Sequence, residues 1–433
     1  MKAMTMTLVT AVLICGLCGS VGLAAAEPPG EGGKVFPLKR QPLPDANRQR
    51  LRFSYQGLEA VEDVLPGIEG VVGRGLDLDF SQIGLGRRQA VLVKSDDKLK
   101  RCDRLYIDAN GNKRFDPDEC YDISRTKDPV RVERSSANNH YCMICPVKLV
   151  GGKDAPASPH WFALRAIQYG PMGHLGCAPI TCAMGEVAFG DRKTLLGICS
   201  VSRDLVPLGR GVQLTSGDDE GGVRVGCQLL LDASGNGQFD RLSLQDMGLE
   251  NRWLTRLVRS RGVYYALSVA PGGESIRIAS AKPKVGKLKI PDGIESASVV
   301  GPEMAAIVVS DDKEIELPAG RYEVLQYRYT KDGARLRASS GSARGVFEVK
   351  ADQTNTFRVG APLGLEVVSR PSFSSRDATR RPSQVRFRIK LTDCVGRAIS
   401  DCRSSGGNRP PAPRLKIVDQ GGETVLDASF RYG

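Results

Sequence analysis

Histidine and tryptophan are scarce in this chain, three and two among 433 residues. Heptads and long helical periods are also missing. The segment from Leu242 to Ser260 is the best helical candidate, and within it Trp253–Val258 reads equally well as a strand. Past the first 26 residues no apolar run is long enough to cross a bilayer, so no span is expected after that point. No nucleotide-binding glycine loop, HExxH or GxSxG occurs, which removes the usual grounds for NTP-driven, zincin or serine-hydrolase chemistry. No nucleic-acid recognition motif accompanies the basic residues, so nucleic acid is not expected as a partner. The absence of these motifs weighs against an enzyme but does not decide the question.

What is present begins with an export signal. Lys2 supplies a positive start, Leu8 to Leu17 an apolar stretch, and Ala24-Ala25-Ala26 a small-residue cleavage signal. Residues 1–26 are therefore expected to be removed, and the protein to be secreted, periplasmic or on the cell surface. The formal charge is +12, of which the signal carries only Lys2. A spread positive charge suits solubility and contact with acidic polymers or an envelope surface.

Residues 27–50, rich in proline, glycine and charge, read as a flexible spacer. From Leu51 onward short alternating runs separated by Gly, Pro, Asn and Asp predict a mostly β chain. Examples are Gln89–Lys94, His160–Arg165 and Gly262–Val269. The expected architecture is several antiparallel sandwiches or barrel-like domains in tandem. Leu105–Asp116 and Leu229–Asp240 share one pattern of strand, polar loop and Phe-Asp, each with a cysteine shortly before it (Cys102, Cys227). That repeat predicts a duplicated β unit within residues 51–285, with Leu195–Asp204 as a third, decayed copy. Residues 286–362 predict a further sandwich. There Leu317-Pro318-Ala319-Gly320-Arg321-Tyr322 resembles the edge turn of prealbumin-like and carboxypeptidase-regulatory-like modules. Residues 363–433 form either a small fourth β domain or the completion of the third.

The two repeated loops carry the sharpest chemistry. In loop one Asp108, Asn110, Asn112, Asp116 and Glu119 occupy positions 1, 3, 5, 9 and 12 of a twelve-residue frame, with the Arg114 carbonyl at position 7. Calcium takes six to eight oxygens, and this spacing wraps a short loop around one ion. The loop resembles EF-hand and dockerin calcium loops, and the resemblance implies ligand roles for those positions. It departs at position 6, where Lys113 replaces glycine. In loop two Asp232, Ser234, Asn236 and Asp240 fall at positions 1, 3, 5 and 9, with Gly237 at position 6. Position 12 is Ser243, so a carboxylate would have to come from Asp246. The competing reading makes both loops Asn-Gly turns held by their own Asx side chains, with Phe115 and Phe239 plugging the core beneath.

Ten of the 12 cysteines lie past the signal. In an exported chain they read first as disulfides: Cys102 with Cys120 around loop one, Cys199 with Cys227, and pairs across Cys142, Cys145, Cys177 and Cys182. The second reading is zinc held by Cys142, Cys145, Cys177 and Cys182, with His140, His160 and His174 close by in sequence. Thiol redox chemistry at Cys142-x-x-Cys145 is a third, without the βαβ context it usually has. Finally, Arg386, Arg388 and Lys390 alternate with Val385, Phe387, Ile389 and Leu391, after Arg370, Arg376, Arg380 and Arg381. One face of that strand would suit an acidic glycan, or be merely solvated. The chain as a whole is similar to exported β-proteins of planctomycete-type bacteria, which implies a compartment and a fold class and no activity. The expectation is a structural or binding protein of envelope, adhesion or matrix.

Overall fold

In the computed structural model the described residues run from 32 to 429, apart from 45–50, 125–129, 136–138, 152–157, 201–210, 215–222, 240–250, 340–345, 373–383 and several shorter gaps. The expected signal therefore lies outside them. The regular structure of the described residues is nearly all strand, with short 3-10 turns at Ser81–Ile83 and Pro117–Glu119. The expected helix is overturned where it can be seen, because Asn251–Trp253 and Leu257–Ser260 are strands. Trp253 pairs with Gln228, and Leu257 and Val258 are buried, so sheet pairing overrides a weak helical pattern.

Four antiparallel sheets form two sandwiches. Sheet I is a meander of Val71–Asp79, Arg87–Lys94, Arg104–Ile107 and Cys120–Asp122. Sheet II runs Ser54–Gly57, Met172–Pro179, His160–Tyr169, Asn139–Leu149, Val130–Ser135. Sheet III runs Lys39–Pro42, Thr181–Phe189, Arg192–Cys199, Gln228–Leu231, Asn251–Trp253. Sheet IV runs Lys34–Pro37, Ser275–Ala281, Val263–Val269, Leu257–Ser260. Alternating residues of sheets I and II, among them Ala90, Leu92, Leu105, Ile107, Ile144, Leu164 and Leu175, bury one core. Leu196, Ile198, Leu229, Leu267, Ile276 and Ile278 bury the equivalent core between III and IV. A third layer of contacts, through Ala163, Ala178, Ile180, Cys182, Cys199, Leu230 and Phe239, joins the outer faces of II and III. The order of layers is thus I, II, III, IV.

The duplication is visible, and it is nested. In one copy Ser54–Gly57 closes onto Met172–Pro179, and Glu59 bridges Gly75 on the first meander strand. In the other Lys34–Pro37 closes onto Ser275–Ala281, and Gln41 pairs with Cys182 on the first meander strand. The copy spanning 54–179 sits inside the other, between its strands at 39–42 and 181–189. This corrects the spacer at 27–50. Its residues 34–42 are edge strands of sheets III and IV, where Pro37 and Pro42 are tolerated and Leu38 is buried. Of the expected third copy, Leu195–Cys199 is the second meander strand of the outer copy, paired with Gln228–Leu231, and residues 201–204 lie outside the described residues.

Beyond Ala281 a separate sandwich packs Leu288, Leu317 and Val349 against Val299, Tyr322, Tyr327 and Leu336. In the Leu317–Tyr322 turn, the buried Tyr322 hydroxyl donates to the Pro318 carbonyl (2.8 Å). The strand Ile399–Ser404 pairs with Ala334–Ser339, so the last segment completes this sandwich. The remainder forms two ribbons, Gly364–Ser372 with Gln384–Thr392 and Arg414–Val418 with Thr424–Ser429. Among the described residues no helix is long and apolar enough to cross a membrane.

Candidate functional site: the paired acidic loops

Both loops join the third and fourth meander strands of their copy, and both begin in the same register. The Asp108 N–H donates to the Gln89 carbonyl and the Asp232 N–H to the Leu195 carbonyl, each at 3.0 Å. Both then take positive φ at positions 4 and 6: Gly111 (71°) and Lys113 (62°), Gly235 (76°) and Gly237 (77°). In loop two the buried Asp232 carboxylate accepts from the N–H groups of Gly235 (2.6 Å), Asn236 (3.2 Å) and Gly237 (2.8 Å) and from the Ser234 hydroxyl (3.1 Å). Burial works to raise its pKa, but these donors outweigh it and hold the group below the ordinary range. In loop one the N–H groups of Gly111, Asn112 and Lys113 work to lower the Asp108 pKa, against its burial.

Loop one adds three things that loop two lacks. Glu119 is 3% exposed, and its carboxylate accepts from the N–H groups of Ala109 (2.8 Å), Asn110 (3.0 Å) and Asp116 (3.0 Å). With Asp116 it completes a capping box on the Pro117–Glu119 turn. The Asp116 Oδ2 accepts from the amides of Asn110 and Asn112, both at 2.8 Å, and Arg114 pairs with Asp116 Oδ1 at 3.1 Å. The guanidinium of Arg88, 5% exposed, lies directly under Gly111, where a Cβ would come within 2.6 Å of its Cζ. It donates to the carbonyls of Arg87 (3.0 Å) and Val150 (2.9 Å). The Val150 N–H in turn donates to the Ala109 carbonyl (3.0 Å), so loop one ties sheet I to the end of a sheet II strand.

Burial raises the pKa of Asp108 against the charge of Arg88, and raises that of Glu119 against its three N–H donors. One oxygen, Asp108 Oδ1, is buried with no hydrogen-bond partner. No three His, Cys, Asp or Glu side chains among the described residues converge to hold a metal ion. A calcium ion at loop one would therefore depend on the amide oxygens of Asn110 and Asn112 and the Arg114 carbonyl as much as on Asp108, Asp116 and Glu119. The amide oxygens now accept from the N–H groups of Asn112 and Arg114, each at 2.9 Å. Asp240, Ser243 and Asp246 lie outside the described residues.

The cysteines are distributed by strand alternation. Cys182 and Cys199 stand directly opposite each other in sheet III and form a disulfide. Cys227 points into the core between III and IV while Cys199 faces sheet II, which rules out the Cys199–Cys227 pair. Cys102 and Cys120 are free thiols, one in the core between I and II and the other under the outer face of I. Of the four expected zinc ligands, Cys142 and Cys177 line the first core, Cys145 and Cys182 the layer between II and III, and Cys182 is bonded to Cys199. The histidines are also apart. His140 contacts the Ile123 carbonyl (2.9 Å), His160 contacts Arg40 (3.3 Å), and His174 packs against Tyr169. Arg88 is the participant that sequence reading missed. Its signal was a basic residue at two-residue spacing before the apolar Ala90 and Leu92, on the side of the strand that faces the core. No protein-family model matches the chain, and no curated protein or solved structure matches it.

Proposed function

We propose that this is an exported, non-catalytic β-sandwich protein of envelope, adhesion or matrix contacts, in which loop one takes a calcium ion that fastens the inserted copy. The observation that carries the reading is the unpartnered, buried Asp108 Oδ1 at position 1 of a loop whose backbone already turns left-handed at positions 4 and 6. A buried carboxylate oxygen without a donor is costly, and a divalent ion is the partner a loop of this spacing accepts. Asp108, Asn110, Asn112, Asp116, Glu119 and the Arg114 carbonyl would hold it. Arg88 and Lys113 bring positive charge close by, so affinity falls in the extracellular range of about 10⁻⁴–10⁻³ M. Loop two, with Asp232 fully supplied by backbone donors, is the weaker candidate.

The test is thermal unfolding of the mature chain with calcium added. Ten millimolar ion against a dissociation constant near 1 mM stabilises by about 1.4 kcal/mol. Wild type should gain a few degrees in Tm, Asp108→Asn should gain none, and Asp232→Asn should keep most of the gain. No change in wild type would leave loop one as a turn held by its own side chains.

A further inference from the structure

Among the described residues, sheet III covers only part of the outer face of sheet II. Sheet III packs on the part around Trp161, Ala163 and Cys145. The other part carries Tyr55, Tyr141, Arg165, Tyr169 and His174, from four neighbouring strands, and all five are at least partly exposed. Register explains the grouping. Tyr55 pairs with Gly176, which pairs with Arg165 one strand further, and His174 pairs with Ile167, which pairs with Tyr141. Because Gly176 has no side chain, the Tyr55 ring reaches over it, with two ring carbons 2.6 and 2.8 Å from where a Cβ would stand. The ring reaches Arg165, whose Nη1 donates to the Tyr55 hydroxyl at 3.1 Å. The outer side of that ring faces solvent, 43% exposed. Next to it Tyr141 and Tyr169 meet edge to face with their hydroxyls 3.1 Å apart, and Tyr169 meets the His174 ring edge to face.

We infer that this aromatic platform is a binding site for a pyranose chain. The exposed Tyr55 ring over Gly176 offers a stacking surface for the C–H face of a sugar. The paired hydroxyls, the imidazole and the guanidinium offer hydrogen bonds to its ring hydroxyls. Tyrosines supply such amphipathic contact at low entropic cost. An apolar protein partner fits less well. Of the apolar side chains in the middle, Ile167 is buried at 7% exposure and Met143, opposite Arg165, packs against the layer shared with sheet III, so most of the accessible groups are polar at their tips. Arg165 selects for a chain carrying carboxylates. The site does not depend on an ion at loop one.

The test uses the mature chain with two probes, hexagalacturonate and cellohexaose, followed by calorimetry. The acidic hexamer should bind in the micromolar to millimolar range and more tightly than the neutral one. Tyr55→Ala and Tyr169→Ala should each weaken it by about tenfold or more, while Tyr55→Phe, which keeps the ring in place, costs less than Tyr55→Ala. Arg165→Gln should erase the preference for the acidic chain. Arg388→Ala, on the distant C-terminal ribbon, should change nothing. Failure of both probes to bind at millimolar concentration overturns the inference. So does binding that survives the Tyr55/Tyr169 double replacement, or that is lost in Arg388→Ala.

Discussion

Loop one and loop two stand at the same point of the same topology, yet each is closed by a different means. Their registers, left-handed positions and position-1 carboxylates coincide. Where loop one has Arg88 on the adjacent strand, loop two has Thr194, whose hydroxyl donates to the Asp232 carbonyl at 2.8 Å. Where loop one has Glu119 gathering three N–H groups, the matching position of loop two is Ser243. The cover over each loop's phenylalanine differs as well. Phe115 sits under Val64, Leu65 and Ile68 of its own copy, while Phe239 is enclosed by the face of sheet II, that is, by the other copy. Loop one therefore carries its own closure, in charge and in packing. Loop two relies on the nesting of one copy in the other.

The widest test of that contrast is to remove the plugs. Phe115 and Phe239 are 1% and 6% exposed, so Phe115→Ala and Phe239→Ala should each cost about 3–5 kcal/mol in chemical denaturation. Phe239→Ala should also loosen the layer between sheets II and III, seen as faster amide exchange at Ala163 and Ala178. Phe115→Ala should leave those amides unchanged. Equal effects on both layers would break the distinction between self-closed and cross-closed loops.

The seam between the copies makes a pH prediction. Arg40, on a sheet III edge strand, donates to the Gly272 carbonyl and lies 3.3 Å from the Nε2 of His160, on sheet II. A guanidinium only donates, so that nitrogen must accept, and the ring is neutral. Burial first, and then the Arg40 charge, push the His160 pKa down to about 4 from the ordinary 6.5. A folded-state value below the unfolded one means that stability is whole above pH 6.5, declines as pH falls toward 4, and is level below that. The total is up to roughly 3 kcal/mol. His160→Gln should flatten this part of the pH–stability curve, and a slope unchanged in that variant would detach the seam from His160.

Glu119→Gln separates the loops at a smaller scale. Glutamine leaves one oxygen for three N–H donors and brings an amide hydrogen toward them, so a loss of about 2 kcal/mol is expected by thermal unfolding. Ser243→Ala, at the matching position of loop two, should change stability by less than about 0.5 kcal/mol.

How far these features were legible in sequence depended on their range. Alternation along Gln89–Lys94 and the shared frames at Asp108 and Asp232 revealed the β class and the paired loops, because both depend on residues close in the chain. The nesting did not show. Lys34–Pro42 looks like spacer because its prolines and charges suit an edge strand as well as a coil, and only its partners at 181–184 and 275–278 decide which. The cysteine pairing failed for a related reason. Spacing placed Cys199 near Cys227, but adjacent positions on paired strands point to opposite faces, and Cys182, a whole strand earlier, is the residue that faces it.

The finest difference between the loops is the residue at position 6. Lys113 holds φ at 62°, a region that costs a residue with a Cβ roughly 1 kcal/mol or more, whereas Gly237 holds 77° at no such cost. The Lys113 side chain is exposed, so nothing in the packing offsets that strain. Lys113→Gly should thus stabilise by somewhat under 1 kcal/mol, the gain being reduced by the added freedom of glycine in the unfolded chain. It should also tighten calcium at loop one by removing a nearby positive charge. Gly237→Lys should destabilise by about 1 kcal/mol. Paired melts of these reciprocal variants measure the net cost of a side chain at position 6, strain and unfolded-state freedom together. If Lys113→Gly stabilises while calcium affinity stays the same, the lysine's cost is conformational and its charge lies too far into solvent to matter to the ion.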